Sequence, residues 1–262
     1  MRSHKAPLIV GFILLLLGIS TCAVSFVVFG FDPSMLAVTD YVTTDFDVTG
    51  DFSDIEIGCS AEEVSLIPSS DGRCRVVFND REWVKTDAVI DGGKLVVSAV
   101  EGERPRNDIG FFAYPPTVAV YIPAAEYRSL SVTSGMGKLV LPEDFSFDDI
   151  NIKVMTGSVR CEARVKNSID IRTTTGDVTL KDVVCSGDCR IECTTGDVKL
   201  SDCDARSFNI RTGTGYVKGT LLSGKEFVVS SRMGDIDVPE SSGGGICEIS
   251  TGTGNISIEI DD

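Results

Sequence analysis

The sequence predicts an all-β fold, a parallel solenoid of about 19–20 residues per coil preceded by one N-terminal transmembrane helix, and three observations carry that expectation. A glycine recurs at Gly137, Gly157, Gly176, Gly196, Gly215, Gly234 and Gly254, with gaps of 20, 19, 20, 19, 19 and 20 residues; a fixed period of this size marks a repeat architecture. Apolar residues hold constant offsets from that glycine. Residues 6–31 carry no charge at all.

Residues 1–5 form a short basic tail with Arg2 and Lys5, and residues 6–31 read as a transmembrane signal anchor. Its uninterrupted stretch from Leu8 to Phe31 is long enough, at ~1.5 Å per residue, to exceed the ~30 Å hydrocarbon core. Basic residues precede it and Asp32 and Asp40 follow, so the positive-inside rule puts the N-terminus in the cytoplasm and the rest outside the cell membrane, in a single pass. A cleaved signal peptide ending near Ala23 and a lipoprotein box at Cys22 are the alternatives, but apolar sequence continues past both, from Val24 to Phe31.

Residues 32–44 read as a linker, and residues 45–262 as a single β-solenoid domain. Within it, 45–127 are irregular N-terminal coils: short strands at Phe46–Val48, Ile55–Ile57, Val64–Pro68, Arg75–Phe78, Thr86–Ile90, Leu95–Ala99 and Val118–Ile122, separated by Gly- and Ser-rich turns. Terminal repeats of such stacks are usually atypical.

Residues 128–260 are seven regular coils. Five positions before the glycine stand Val132, Ile152, Ile171, Ile191, Ile210, Val229 and Ile249; two after it stand Leu139, Val159, Val178, Val198, Val217, Ile236 and Ile256. Polar residues such as Arg172, Glu192 and Arg211 intervene. Alternation with period two means strands with one buried face, and equivalent residues stacked ~4.8 Å apart make each column a continuous apolar ladder. The bend glycine supplies a backbone conformation that other residues adopt only at a cost.

Composition narrows the function. With 24 Lys and Arg against 39 Asp and Glu the net charge is −15, which argues against nucleic acid as a partner. The single histidine, His4, lies in the tail, so no histidine-based triad or zinc site is expected in the outer domain, and no cofactor is expected. Asp177 and Asp197 follow the glycine in adjacent coils and are weak candidates for a Ca²⁺ site or an acid pair; solvated turn positions are the simpler reading. The Thr column before the glycine reads as strand surface.

Eight cysteines follow the apolar segment. Cys185 with Cys203, nearly one coil apart, and Cys59 with Cys74, flanking a strand, are disulfide candidates. Free thiols replacing core aliphatics are the alternative. The stretch Glu101–Pro116 carries Arg104, Arg106, Phe111, Phe112 and Tyr114, residue types that anchor interfaces; it reads either as a partner-binding loop or as a lid.

The segments Phe46–Gly50, Phe52–Ile57, Asp91–Val97 and Val118–Pro123, with the Thr-Gly-Asp-Val repeats at 175–178 and 195–198, together resemble the bacterial putative-adhesin family, β-strand-repeat domains of unknown function found in LiaG-like envelope proteins. The resemblance spans roughly residues 44–260. It implies a right-handed parallel β-helix-like fold, a cell-surface location and an association with envelope stress. The expected function is a non-enzymatic, membrane-anchored, extracytoplasmic binding module acting close to the lipid bilayer, its partner an envelope protein or glycan. A carbohydrate-active β-helix enzyme and a purely structural envelope element are the rival expectations.

Overall fold

In a coil with inward-facing residues at every second position, the apolar columns leave the backbone one economical course: strands laid in parallel, each above its counterpart. The computed structural model describes residues 5–28, 41–103, 115–240 and 243–261. The first described segment is α1 (Lys5–Val28), 24 residues of helix. Its side chains are described without interruption only from residue 10 to residue 21, and among the described residues no helix is long and apolar enough to cross a membrane.

The second compact unit holds the strands. Its first half contains β1 (Tyr41–Val48), β2 (Asp54–Cys59), β3 (Glu63–Pro68), β4 (Cys74–Arg81), β5 (Val84–Asp91), β6 (Lys94–Glu101) and β7 (Thr117–Ile122). Then come the paired strands of the repeat: β8 (Glu126–Met136), β9 (Leu139–Leu141), β10 (Ser146–Thr156), β11 (Val159–Cys161), β12 (Arg164–Thr175), β13 (Val178–Lys181) and β14 (Val184–Thr195). The long β15 (Val198–Thr214) turns a corner between the two sheets. After it follow β16 (Val217–Leu221), β17 (Glu226–Met233), β18 (Ile236–Asp237), β19 (Ile246–Thr253) and β20 (Ile256–Ile260).

One sheet runs β5-β6-β2-β8-β10-β12-β14-β15-β19-β17, the other β1-β4-β7-β3-β9-β11-β13-β15-β16-β20-β18. All pairings are parallel except β1 with β4, β4 with β7 and β5 with β6. The strands therefore stack as rungs of a solenoid, but not in chain order. The rung β2–β3 lies between β6–β7 and β8–β9, and the final rung β19–β20 lies inside β17–β18.

This corrects the expectation in three places. The first half is not only irregular coils: β1, β4 and β5 are antiparallel strands that flank the first rung. β1 opens at Tyr41, inside the stretch read as linker, because Tyr41–Thr44 pair with Phe78–Arg81. The chain's last coil does not form the end of the stack. That end is the coil of Gly234.

The bend glycines explain the regularity. Gly157, Gly176, Gly196, Gly215, Gly254 and Gly234 have φ between +134° and +151°, and a Cβ at each would come within 1.8–2.3 Å of the carbonyl oxygen of the glycine in the adjacent rung. The contacts run 137-157-176-196-215-254-234, which repeats the non-sequential order independently of the strand pairing. Around the bend the columns are sealed: Ile152, Ile171, Ile191, Ile210 and Ile249 are 0% exposed, each contributing roughly 1.5–3 kcal/mol. Only in the coil of Gly234 do they open, with Val229 half-buried and Ile236 44% exposed.

Polar ladders sew the rungs together. Asp54 accepts from Ser129 Oγ (2.5 Å) and from Arg128, Asp149 from Ser168 Oγ (2.5 Å), and Asp188 from Ser207 Oγ (2.8 Å). Asp and Ser thus alternate down one column. The Arg128 guanidinium and two serine hydroxyls hold the Asp54 carboxyl well below the usual carboxylate range. Beneath the first rung Glu62 is fully buried beside Asp80 and Arg81; burial, then the hydrogen bond with Asp80, pushes its carboxyl up.

Candidate binding surface

Three positions of the repeat, four, three and two residues before the glycine, build a groove of about 760 Å³ along the outside of the stack. Five adjacent rungs contribute: Thr133–Gly135, Lys153–Met155, Arg172–Thr174, Glu192–Thr194 and Arg211–Gly213. At ~4.8 Å per rung the trough is ~19 Å long. One wall is the column Thr133, Lys153, Arg172, Glu192 and Arg211, paired in register; the other is Gly135, Met155, Thr174, Thr194 and Gly213.

The middle position turns inward and explains why the strand can bend there. Ser134, Thr173, Thr212 and Thr251 are buried although polar. Each donates to a carbonyl of the corner: Thr212 Oγ1 to Gly196 O (3.1 Å), Thr251 Oγ1 to Gly215 O (3.1 Å), Thr173 Oγ1 to Gly176 O (3.4 Å), and Ser134 Oγ to Met136 O (2.9 Å). Cys193 Sγ fills the same place toward Gly176 O (3.4 Å). A buried carbonyl left alone is costly, so these hydroxyls hold the groove floor and leave the outer two positions free for solvent.

The charged wall is mostly basic. Arg172 pairs with Asp170 (3.0 Å) and with Glu192 (3.5 Å), and Arg211 with Glu248 (3.1 Å), all partly exposed. Lys153 has no ion pair among the described residues. Exposed pairs of this kind contribute little to stability, so the guanidiniums remain available to a ligand. Beside the groove Thr156, Thr175, Thr195, Thr214 and Thr253 lie in register, exposed, as one hydroxyl column.

The candidate residues from sequence lie elsewhere. Asp177 Oδ1 accepts the amide of Asp197 (2.9 Å), and Asp197 Oδ1 accepts the amide of Tyr216 (3.1 Å). Their carboxylates tie one rung to the next; Asp235 N donates to Asn255 Oδ1 in the same way (3.0 Å). Arg104, Arg106, Phe111, Phe112 and Tyr114 lie outside the described residues.

Neither disulfide candidate is bridged; all eight described thiols are free and buried. Cys59 pairs laterally with Ala99 and Ser134 in one sheet, whereas Cys74 pairs with Val48 in the other. Cys185 sits beside Ala205, and Cys203 beside Leu221 in the opposite sheet. Burial pushes Cys74, Cys185 and Cys203 up to about 11, and Cys161 and Cys247 to about 12.

The groove residues Arg172, Glu192 and Arg211 are visible in the sequence as a polar column, but a column alone does not say that the strand bends into a wall. The inward hydroxyls gave a weaker signal, because threonine is equally at home on a solvated strand.

Comparison with known proteins is consistent in extent. The family model Toastrack DUF4097 matches residues 52–262. No curated protein matches the chain. Among solved structures, a "putative adhesin" from Bacteroides fragilis is 17% identical, with 85% of this chain and 99% of that one covered, at a TM-score of 0.46. A "putative cell adhesion protein" from Clostridium sporogenes is 11% identical, covering 85% and 100%, at 0.38. A "putative lipid binding protein" from Parabacteroides distasonis is 14% identical, covering 84% and 98%, at 0.38.

Proposed function

The chain belongs to the Toastrack DUF4097 family, and on that premise we propose that it is a non-enzymatic, membrane-anchored, extracytoplasmic binding module whose groove holds an extended, acidic envelope glycan. The observation that carries this reading is the groove itself: five rungs repeat the same two outward positions, and Lys153, Arg172 and Arg211 line one wall of a protein whose net charge is −15. A basic strip on an acidic exterior selects ligands that bring carboxylates or phosphates to that strip. Hydroxyls of Thr174 and Thr194 on the facing wall, and of the adjoining threonine column, suit the hydroxyls of a sugar chain.

The anchor is supported by the 24 helical residues of α1, about 36 Å at the helical rise, and by the uncharged sequence through residue 31. Arg2 and Lys5 favour a cytoplasmic N-terminus. The parallel crossovers favour a right-handed coil. The amide contacts of Asp177 and Asp197 leave the rival enzymatic reading without an assembled acid–base pair at those residues.

The test is cosedimentation of the detergent-solubilised full chain with purified peptidoglycan sacculi, with and without their covalently attached anionic polymer. Retention by the anionic form, lost in Lys153→Glu/Arg172→Glu/Arg211→Glu without a change in melting temperature, supports the proposal; equal retention of the triple variant refutes it. Carbonate-resistant membrane association and an intact mass that includes residue 1 test the anchor, and a mass beginning at residue 24 refutes it.

A further inference from the structure

The two ends of the stack are finished differently. At one end the rung β6–β7 is flanked by antiparallel strands, β5 against β6 and β4 against β7, with β1 beyond β4. The outermost of these carry Lys85 and Asp87 on β5, and Asp45 and Asp47 on β1, charges that discourage further pairing. At the other end β17 pairs only with β19, and β18 only with β20, among the described residues. The outer backbone edge of β17 is an open template for another strand.

The side chains there match an incomplete interior. Phe227 and Val229 face inward and pack against the core but stay half-buried, and Ile236 is 44% exposed. In every deeper coil the residues equivalent to Val229 and Ile236 are sealed by a neighbouring rung. One further layer is missing from the outside of β17.

We propose that a second copy of this chain supplies that layer, through an antiparallel pairing of β17 with β17 of the copy about a two-fold axis centred on Val229. The register follows from two requirements. Inward residues must meet inward residues, or the apolar face turns to solvent, so only registers displaced by two residues are allowed. Of these, the one that sets Val229 against its own symmetry mate also sets Glu226 opposite Arg232, twice, by symmetry. Neither residue has an ion pair among the described residues of its own chain. The same register places Phe227 against Ser231 on the inner face and Val228 against Ser230 on the outer one. A contact of this kind is isologous and closed, so it ends at a dimer rather than a fibre.

The experiment is sedimentation velocity on the full chain in detergent across the micromolar range, with circular dichroism to confirm the fold of each variant. The wild-type chain is expected to dimerise. Glu226→Arg and Arg232→Glu each replace two attractive cross-strand pairs by repulsive ones and weaken the dimer at least about tenfold. The double variant Glu226→Arg/Arg232→Glu restores it. A monomeric wild-type chain, a dimer indifferent to either single substitution, or a folded double variant that stays monomeric overturns the proposal and assigns the open end to a different partner or to none.

Discussion

Replacing Gly196 by alanine isolates what the recurring glycine does. Gly196 has φ +149°, and a Cβ built there lies 2.3 Å from Gly176 O and 2.6 Å from its carbonyl carbon. Both obstacles are backbone, so no side chain can swing aside. Moving the contact out to 3.0 Å, below which real Cβ atoms are essentially never found, opens the rung spacing by about 0.7 Å and stretches the two bonds that cross the same gap, Gly176 N to Thr195 O and Val178 N to Asp197 O, each 2.9 Å. The glycine-only backbone region costs about 1–3 kcal/mol and two weakened hydrogen bonds about 1 kcal/mol each, roughly 3–5 kcal/mol in total. In a domain of this size that lowers the melting temperature by about 6–20 °C. Two controls separate the causes. Gly72 has φ +71° with open space around its Cβ, so Gly72→Ala carries only the backbone term, about 1–2 kcal/mol. Gly58, also open and without positive φ, tolerates alanine within about 1 kcal/mol. Chemical and thermal unfolding of the three variants gives the ranking; a Gly196→Ala protein no less stable than Gly72→Ala refutes the stacking explanation.

Further outcomes follow from the interior. Ile191→Asp puts an unpaired charge where exposure is 0% and no partner is at hand, and the solenoid unfolds; a soluble variant with unchanged melting temperature contradicts the inward assignment. Glu62 is fully buried, and its carboxyl is raised from 4.5 to about 7 by burial and by Asp80, so the folded state holds the extra proton between those values. Stability therefore falls as pH rises from about 4.5 to 7, by on the order of 3 kcal/mol, and is flat above; in denaturant titrations Glu62→Gln removes that slope, and an unaltered slope speaks against the assignment. The eight buried thiols resist alkylation at pH 8 in the native chain, yet after unfolding without reductant they react together with Cys22, nine in all; a count of seven or fewer means a disulfide has formed.

The period was legible because its cause is local and repeated. Each bend glycine faces the same carbonyl, and each inward Ile or Val faces the same two neighbours, so both columns survive in the sequence. The order of the rungs was not legible, since coils of nearly equal length carry the same columns and any of them stacks chemically on any other. One trace of the rearrangement was there to read. Gly243–Gly245 precedes β19, and a Cβ at Gly245 would lie 1.4 Å from Arg206 O, so the chain re-enters the stack where no side chain fits. The groove was half legible: Arg172, Glu192 and Arg211 declare a polar column, but the bend that makes it a wall depends on the buried hydroxyls of Thr173 and Thr212, which look like ordinary strand threonines. Asp177 and Asp197 stood out because carboxylates suggest chemistry, whereas one oxygen of each accepts an amide of the next rung.

The most direct test of the fold on which groove and open end both depend is a pair of distances from spin labels on the exposed threonine column. Labels at Thr214→Cys and Thr253→Cys sit on adjacent rungs, about 5 Å apart along the stack, and labels at Thr214→Cys and Met233→Cys about twice that. Dipolar broadening stronger for the first pair is the predicted result. Stronger broadening for the second pair means that the coils stack in chain order, and with that the open β17 edge disappears.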